Sequence, residues 1–216
     1  MKQLIIICEG PTEVQFCKDI LHPFLLSKGI AAYYPLISKS GGGIVAWKTL
    51  KLQLERHLRE PSHVTMLIDY YGIPDRYAYP KWEESKSIGQ KEPRMEFLEK
   101  AMWENIGDPL NRKFIPNILL HEFEGLLFNN MAAFERVFED REFLDKRELA
   151  ETIRRHPNPE LINDTPHNAP SKRLHRMIKG YNKVTFGNLI AEAITLDQMR
   201  VKSPHFNTWL SNIENI

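Results

Sequence analysis

Three short apolar runs, each followed by an acidic residue, limit what this chain can fold into. Each run has the length of a buried strand, and segments with helical spacing lie between the runs. Alternating strands and helices favour a parallel sheet with right-handed crossover connections. We therefore predict an α/β fold with a parallel sheet of about four strands flanked by helices, followed by a helical C-terminal extension. The predicted strands are residues 4–8, 31–37, 63–69 and 114–120.

Apolar residues recur at helical spacing in most of the remaining chain. Lys28 and Gly29 are typical of a helix end, and Pro204 fits the first turn of a final helix. We expect residues 1–130 to form the α/β core and residues 131–216 to complete the same domain as the helical extension. The predicted helices are residues 12–27, 44–58, 92–105, 172–179, 184–193 and a last one from residue 204.

The composition is that of a globular protein without a dominant charge. The formal net charge is +1, so no overall field points to nucleic acid or membrane. Cys8 and Cys17 lack zinc or disulfide spacing, which is typical of a reducing compartment. The first apolar run is too short for a signal peptide, and no stretch approaches a membrane span. We expect a cytoplasmic protein with no membrane segment, for which an oligomer is possible.

Acidic residues follow the predicted strands at three places. Glu9 follows the first apolar run with Glu13 in the helical turn beyond it, Asp69 follows the second, and Glu122 and Glu124 follow the last. A single acid at such a place is commonly a helix cap or a solvated loop residue. Because the carboxyl ends of parallel strands share one edge of the sheet, we expect these carboxylates to converge. An all-oxygen site suits Mg²⁺ or Mn²⁺, and two such ions can promote phosphodiester cleavage.

A segment rich in positive charge lies near the C-terminus. Residues 165–191 contain no acid and carry several lysines and arginines, which could supply positive charge near a phosphate. Such residues usually form a solvated helical face, but Lys172 and Lys183 stand beside turn residues that can direct them inward. The candidate nucleic-acid-binding residues are Lys172, Arg173, Arg176 and Lys183.

Three further features each allow two interpretations. His121, beside the acid pair, is either a ligand or acid–base group or, more commonly, a hydrogen-bonded structural residue. Tyr70 and Tyr71 could stack on bases, although two tyrosines after a strand more often border the core. The loop of residues 40–43 could approach a phosphate, but no further residue of a phosphate-loop motif accompanies it.

Several short motifs resemble those of a known family. Residues 9–13, Glu-Gly-Pro-Thr-Glu, are similar to the first motif of the Toprim domain in OLD-family nucleases. Asp69 is similar to the first aspartate of the Asp-x-Asp motif of that domain, and Tyr71 stands at the position of the second. Small stand-alone Toprim-like proteins of bacteria and archaea share these and three further patterns, which are His121-Glu122-Phe123-Glu124, Pro170-Ser171-Lys172-Arg173 and Pro204-His205-Phe206. The resemblance therefore covers nearly the whole chain.

The resemblance implies a Toprim-like sheet and a Mg²⁺-dependent nuclease that hydrolyses the phosphodiesters of DNA or RNA. Similar proteins are often encoded beside an ABC- or AAA-type ATPase in systems that resemble phage defence, which implies an effector controlled by an ATPase partner. The implied catalytic residues are Glu9, Glu13, Asp69 and Lys172, and the implied metal ligands are Glu9, Glu13, Asp69, Glu122 and Glu124.

Two other functions remain open for this sequence. The first is a catalytically degenerate Toprim-like module that binds nucleic acid or a partner. It predicts salt-dependent nucleic-acid binding without metal-dependent cleavage. The second is a small-molecule phosphoryl-transfer enzyme that would use the loop of residues 41–43 as its phosphate cradle.

Overall fold

The chain folds as an α/β protein around a parallel sheet, as the sequence predicts. The computed structural model describes residues 1–38, 43–162 and 166–216. Within these residues the sheet has four strands in the order β2-β1-β3-β4, and every neighbouring pair is parallel. The strands are β1 (Lys2–Cys8), β2 (Ile30–Tyr33), β3 (His63–Leu67) and β4 (Phe114–Ile115).

Helices cover both faces of the sheet and make up most of the second half of the chain. The predicted C-terminal helices are confirmed, although their bounds shift by a few residues. The helices are α1 (Pro11–Phe16), α2 (His22–Ser27), α3 (Trp47–Leu58), α4 (Trp82–Ser85), α5 (Lys91–Ile106), α6 (Met131–Val137), α7 (Lys146–Arg155), α8 (Pro170–Met177), α9 (Lys183–Ile194), α10 (Leu196–Lys202) and α11 (Pro204–Glu214). No helix of the described residues is both long and apolar enough to cross a membrane.

Strand β1 is buried on both faces, which explains its continuous apolar run. Leu4 and Ile6 belong to a hydrophobic cluster with the C-terminal helices, whereas Ile5 and Ile7 belong to a second cluster with α3 and α5. Successive side chains of a strand point to opposite faces, so this alternation follows directly from the extended backbone. The sheet therefore separates two cores, and the ends of its strands remain at the edge between them.

Three of the predicted strands end earlier than the sequence analysis suggests. Strand β3 ends at Leu67, two residues early, and proline explains the larger differences in β2 and β4. Proline has no N–H to donate to the ladder. Strand β2 ends before Pro35, and Leu36 then forms an isolated bridge to Cys8. Strand β4 ends before Pro116, and Leu119 then bridges to Asp69. Pairing thus resumes after each proline, beside the acidic ends of β1 and β3.

The first helical segment runs from residue 11 to residue 27, close to the prediction, but it is not one regular helix. A π-helical turn, Cys17–Leu21, separates α1 from α2. Pro23 in the first turn of α2 cannot donate a backbone hydrogen bond, which favours such an irregular ladder. Gly29 has a φ of +74°, and this left-handed conformation ends the segment.

The C-terminal helices pack directly against the sheet and against α1. Helix α9 lies beside α1, and α11 lies beside β4. The indole Nε1 of Trp209 on α11 donates a buried hydrogen bond to Oγ1 of Thr65 on β3, at 2.8 Å. This packing brings the beginning of α9 to the carboxyl edge of the sheet.

The buried carboxylate of Glu160 accepts hydrogen bonds from the first turn of α11. Oε2 of Glu160 accepts the N–H of His205, and Oε1 accepts the N–H of Phe206, both at 3.0 Å. Nε2 of His205 lies 3.0 Å from Oε1 of Glu99 on α5, so His205 links two helices through hydrogen bonds. Burial nevertheless raises the pKa of Glu160 to about 7, above its ordinary value of 4.5.

The raised pKa of Glu160 predicts a pH-dependent stability. The folded state binds the Glu160 proton more tightly than the unfolded state, so this contribution to stability is present below pH 4.5. It is lost as the pH rises to about 7. The free energy of unfolding of the Glu160→Gln variant should therefore fall less between pH 5 and pH 8 than that of the wild type. We expect the difference to be on the order of 3 kcal/mol, measured by urea denaturation.

A matched substitution separates this effect from a general loss of charge. Glu192 is exposed on α9, and Glu192→Gln should leave the wild-type pH profile unchanged. Parallel profiles for Glu160→Gln and the wild type would show that Glu160 does not titrate in this range.

Candidate functional site

Glu9 joins the ends of the two central strands. Its N–H donates to the carbonyl of Leu67 at 3.1 Å, and its carbonyl accepts the N–H of Gly43 at 3.0 Å. Its side chain crosses from β1 to β3, where Oε2 accepts the N–H of Asp69 at 2.9 Å. The Glu9 carboxylate is therefore fixed at the carboxyl edge of the sheet, as the sequence predicts for a residue that follows β1.

Glu13 lies in the first turn of α1, as predicted, and its carboxylate folds back over the start of the helix. Oε2 of Glu13 accepts the N–H of Gly10 at 2.8 Å, which is half of a capping box. The helix begins at Pro11 with Gly10 at the N-cap position, one residue before the predicted start at residue 12. A Cβ atom added to Gly10 would lie 3.1 Å from Oε2 of Glu13, so the absence of a side chain allows this close contact.

Asp69, which follows β3, lies close to Glu122 and Glu124, which follow the neighbouring strand β4. Oδ1 of Asp69 accepts the N–H of Phe123 at 3.1 Å, which fixes the start of the 3₁₀ turn Phe123–Leu127. Oε2 of Glu122 accepts the N–H of Ser171 at 3.0 Å, in the first turn of α8. The positive end of a helix dipole favours a carboxylate at this place. Glu124 lies within the 3₁₀ turn and is 2% exposed.

The carboxylates are close enough to influence one another. Burial raises the pKa of Asp69 well above its ordinary value, and so do the charges of four neighbours, namely Glu9, Glu13, Glu124 and Glu122. Burial also raises the pKa of Glu9, and it raises the pKa of Glu13 to about 7. The candidate metal ligands predicted from the sequence therefore share one locality, where burial and the mutual repulsion of the carboxylates favour their protonated forms.

Lys183 provides positive charge within this cluster. Asn182 caps α9 by accepting the N–H of Thr185 at 3.0 Å, so Lys183 begins the helix. Its Nζ lies 2.8 Å from Oε1 of Glu124. Burial lowers the pKa of Lys183, but the charges of Glu124, Glu122 and Asp69 outweigh burial and raise the pKa overall. Lys183 is thus a charged lysine that contacts the site directly.

Several buried polar groups around the carboxylates have no hydrogen-bond partner among the described residues. They include both ring nitrogens of His121, the hydroxyl of Tyr181 and Oδ1 of Asn188. Burial lowers the pKa of His121 to about 4, so its imidazole is neutral at pH 7. Burial raises the pKa of Tyr181, and the nearby charges of Glu124 and Glu122 raise it further. Buried polar groups are generally paired, so these atoms indicate that a ligand or solvent completes the site.

Sequence reasoning missed two of these groups as site residues. Asn188 is a polar residue on the buried face of α9, between Gly187 and Ile190, and this position is a signal that could have identified it. Tyr181 has no comparable signal, because a tyrosine before a helix is common in protein cores. His121 was expected to be a hydrogen-bonded structural residue, but neither nitrogen is bonded within the described residues.

The oxygen donors of the cluster are suited to a hard cation, although the carboxylates do not form a ready-made coordination site among the described residues. Among the described residues, no group of three His, Cys, Asp or Glu side chains has the geometry of a metal site. The donors are nonetheless carboxylate oxygens, which Mg²⁺ and Mn²⁺ prefer. A cation would also relieve the repulsion that raises the pKa of Asp69. Glu9, Glu13, Asp69, Glu122 and Glu124 are the residues that could hold it.

The other predicted basic residues lie on α8, outside the carboxylate cluster. Lys172 is exposed and makes no hydrogen bond or ion pair with any described residue. Arg173 is buried, and its Nε donates to the carbonyl of Asn168 at 2.8 Å. Arg176 is exposed, and its Nη1 donates to the carbonyl of His167 at 2.7 Å. Lys172 and Arg176 are therefore accessible to a ligand, whereas Arg173 supports the preceding turn.

The predicted phosphate-approaching loop lies almost entirely outside the described residues. Only Gly43 of residues 40–43 is described, with a φ of +100° that favours glycine.

Fold and site together define a parallel α/β protein with an acidic centre at the carboxyl edge of its sheet. The chain belongs to the family described as a domain of unknown function, DUF4276, which matches residues 8–214. No curated protein matches the chain, and no solved structure matches it either. Function must therefore be inferred from the site.

Proposed function

We propose that this protein is a metal-dependent nuclease that hydrolyses phosphodiesters of DNA or RNA. The observation that carries the proposal is the convergence of carboxylates from the ends of β1, β3 and β4, together with one lysine from α9. Metal-dependent phosphodiester cleavage uses both features, because the carboxylates can hold a cation and the lysine supplies positive charge near the phosphate.

The carboxylates of the site would bind the cation. Glu9, Glu13, Asp69 and one or both of Glu122 and Glu124 would hold Mg²⁺ or Mn²⁺. The cation, when bound, activates water and stabilises the leaving oxygen. Glu9 and Asp69 position each other through the 2.9 Å hydrogen bond between Oε2 of Glu9 and the Asp69 N–H.

Positive charge would come from two different places. Lys183 balances Glu124 within the site, where the two charged atoms are 2.8 Å apart. Lys172 is exposed one residue after Ser171, whose N–H binds Glu122, so its ammonium is free to contact a substrate phosphate. Arg176 is also exposed on α8, although its Nη2 lies 3.7 Å from Oε1 of Glu148, which balances part of its charge.

We extend the proposal to the cellular setting on the strength of the motif resemblance alone. The protein would act in the cytoplasm as the nuclease of an anti-phage system, under the control of an ABC- or AAA-type ATPase. Co-purification of the two proteins, and cleavage that depends on ATP, would support this arrangement.

A non-catalytic nucleic-acid or partner-binding module is the second candidate function. Two observations favour it. Tyr71 stands where the resembling nucleases have a second aspartate, and no three described side chains form a metal site in advance. Such a module would bind nucleic acid with a steep salt dependence and would leave it intact when Mg²⁺ is present.

A cleavage assay separates the two candidates. Labelled single-stranded and duplex DNA and RNA are incubated with the full chain in Mg²⁺, Mn²⁺ or EDTA, with and without the neighbouring ATPase. We expect cleavage with either divalent ion and none in EDTA. Binding without cleavage under all these conditions would refute the nuclease proposal and favour the binding module.

A further inference from the structure

Tyr71 borders the carboxylate cluster. It lies two residues after Asp69 and directly before Gly72. A Cβ atom added to Gly72 would lie 3.4 Å from Oε1 of Glu9, so this part of the loop runs close to the Glu9 carboxylate. The Tyr71 N–H donates to the carbonyl of His121 at 3.3 Å. Backbone contacts therefore hold Tyr71 between the two loops that supply Asp69 and Glu122.

The Tyr71 ring is supported on one face and accessible elsewhere. It stacks on the imidazole of His121, with ring centroids 4.6 Å apart and an interplanar angle of 27°. His121 is 3% exposed, whereas Tyr71 is 41% exposed. A buried ring thus supports a surface ring, which reduces the conformational entropy that Tyr71 would lose on binding a ligand.

The neighbouring tyrosine has a structural role, which makes the exposure of Tyr71 informative. The ring of Tyr70 packs against Trp82 at 5.4 Å, and its hydroxyl accepts a hydrogen bond from Nη1 of Arg94 at 3.0 Å. The Tyr71 hydroxyl makes no hydrogen bond with the described residues, and neither do the ring nitrogens of His121 beneath it. An aromatic ring and unpaired polar atoms are therefore present together beside the acidic site.

We propose that Tyr71 is a stacking platform for an unpaired nucleobase, and that the substrate of this site is single-stranded nucleic acid. This inference rests on the proposed function and extends it. A nucleotide fits the combination of groups, because its base can stack on the exposed ring while its phosphate would be attracted by the ammonium of Lys183 and by a cation held between the carboxylates. Any base offers a π face, so the contact needs no particular sequence.

The same geometry disfavours an intact duplex. Bases inside a double helix are stacked on each other, and an aromatic side chain reaches their faces only after they are unpaired. The bases of a single strand are already unpaired, so no free energy is needed to unpair them. Tyr71 would therefore contribute to the binding of single strands and add little to the binding of duplexes.

Binding measured without a divalent ion tests the inference independently of cleavage. A fluorescent single strand of about 12 nucleotides is titrated in EDTA by anisotropy, alongside the same sequence as a duplex. A third probe keeps the phosphates but carries abasic sites. Tyr71→Ala should weaken single-strand binding by about 5- to 150-fold, the effect of losing one stacked base. It should leave binding of the duplex and of the abasic probe unchanged.

Two further variants separate stacking from a structural effect. Tyr71→Phe keeps the ring and should bind single strands within about twofold of the wild type. Tyr33→Ala removes a tyrosine that is 61% exposed on β2, the strand at the far edge of the sheet, and should change nothing. An equal loss on all three probes, or no loss in Tyr71→Ala, would overturn the inference.

The outcomes distinguish this inference from the proposed function. Cleavage by the wild type together with unchanged single-strand affinity in Tyr71→Ala would refute the stacking platform and leave the nuclease intact. A Tyr71-dependent preference for single strands without any metal-dependent cleavage would support the platform and refute the nuclease.

Discussion

Glu9→Gln should abolish metal-dependent cleavage, with a loss well beyond the roughly 10- to 100-fold typical of residues that only support a metal ligand. The glutamine keeps a carbonyl oxygen that can accept the Asp69 N–H, so the strand ends should stay joined. It also removes charge from a cluster in which the Glu9 carboxylate raises the pKa of Asp69. The metal-free variant should therefore unfold at the same temperature as the wild type at pH 8, or at a higher one.

The response to Mg²⁺ separates loss of the cation from loss of the fold. Wild-type protein should gain stability on adding Mg²⁺, by about 2.7 kcal/mol when the ion is at 100 times its Kd, and Glu9→Gln should gain little. Glu192→Gln removes the same charge from the exposed face of α9 and should behave as the wild type. Wild-type cleavage by Glu9→Gln would show that the Glu9 carboxylate does not hold the ion.

Lys183→Met should reduce the turnover rate by about 10²- to 10³-fold, the range found when one group that stabilises a transition-state charge is removed. Glu124 is 2% exposed and would lose the ammonium that lies 2.8 Å from its Oε1. Because the Lys183 side chain is 43% exposed, solvent screens this ion pair, and its loss should lower the stability of the fold only moderately. We expect the free energy of unfolding to fall by about 1 kcal/mol.

Lys172→Met should have a different effect, because Lys172 is exposed and makes no hydrogen bond or ion pair with the described residues. It should weaken nucleic-acid binding, and it should lower the slope of log affinity against log salt by about one. Lys100→Met, at an exposed position on α5, controls for the loss of one surface charge. Turnover that depends more on Lys172 than on Lys183 would reverse the roles proposed for these lysines.

The sheet and its acidic edge could be predicted because both depend on local signals. A run such as residues 4–8, apolar at every position, is typical of a strand buried on two faces, and β1 is such a strand. Glu9 and Asp69 follow their strands directly, so parallel pairing is enough to bring them together. The hydrogen bond between Oε2 of Glu9 and the Asp69 N–H is a consequence of that pairing.

The contributions of loops and side-chain directions could not be predicted in the same way. Lys172 and Lys183 look equivalent in the sequence, but only Lys183 begins a helix that packs beside α1, and this packing aims its ammonium at Glu124. The stack of Tyr71 on His121 joins two loops that are distant in the chain. No local pattern specifies such a contact, because it depends on where both loops lie.

The packing of α9 on α1 determines when, during synthesis, all the charged residues of the site are present together. Glu9 and Glu13 precede Tyr181 and Lys183 by about 170 residues, so the two carboxylates leave the ribosome first. A nascent chain therefore has the carboxylates long before the ammonium that balances them. Since chains are made at roughly 5–20 residues per second, the charge arrangement of the site is completed many seconds after its first residues appear. Unfinished or truncated chains thus lack a complete site.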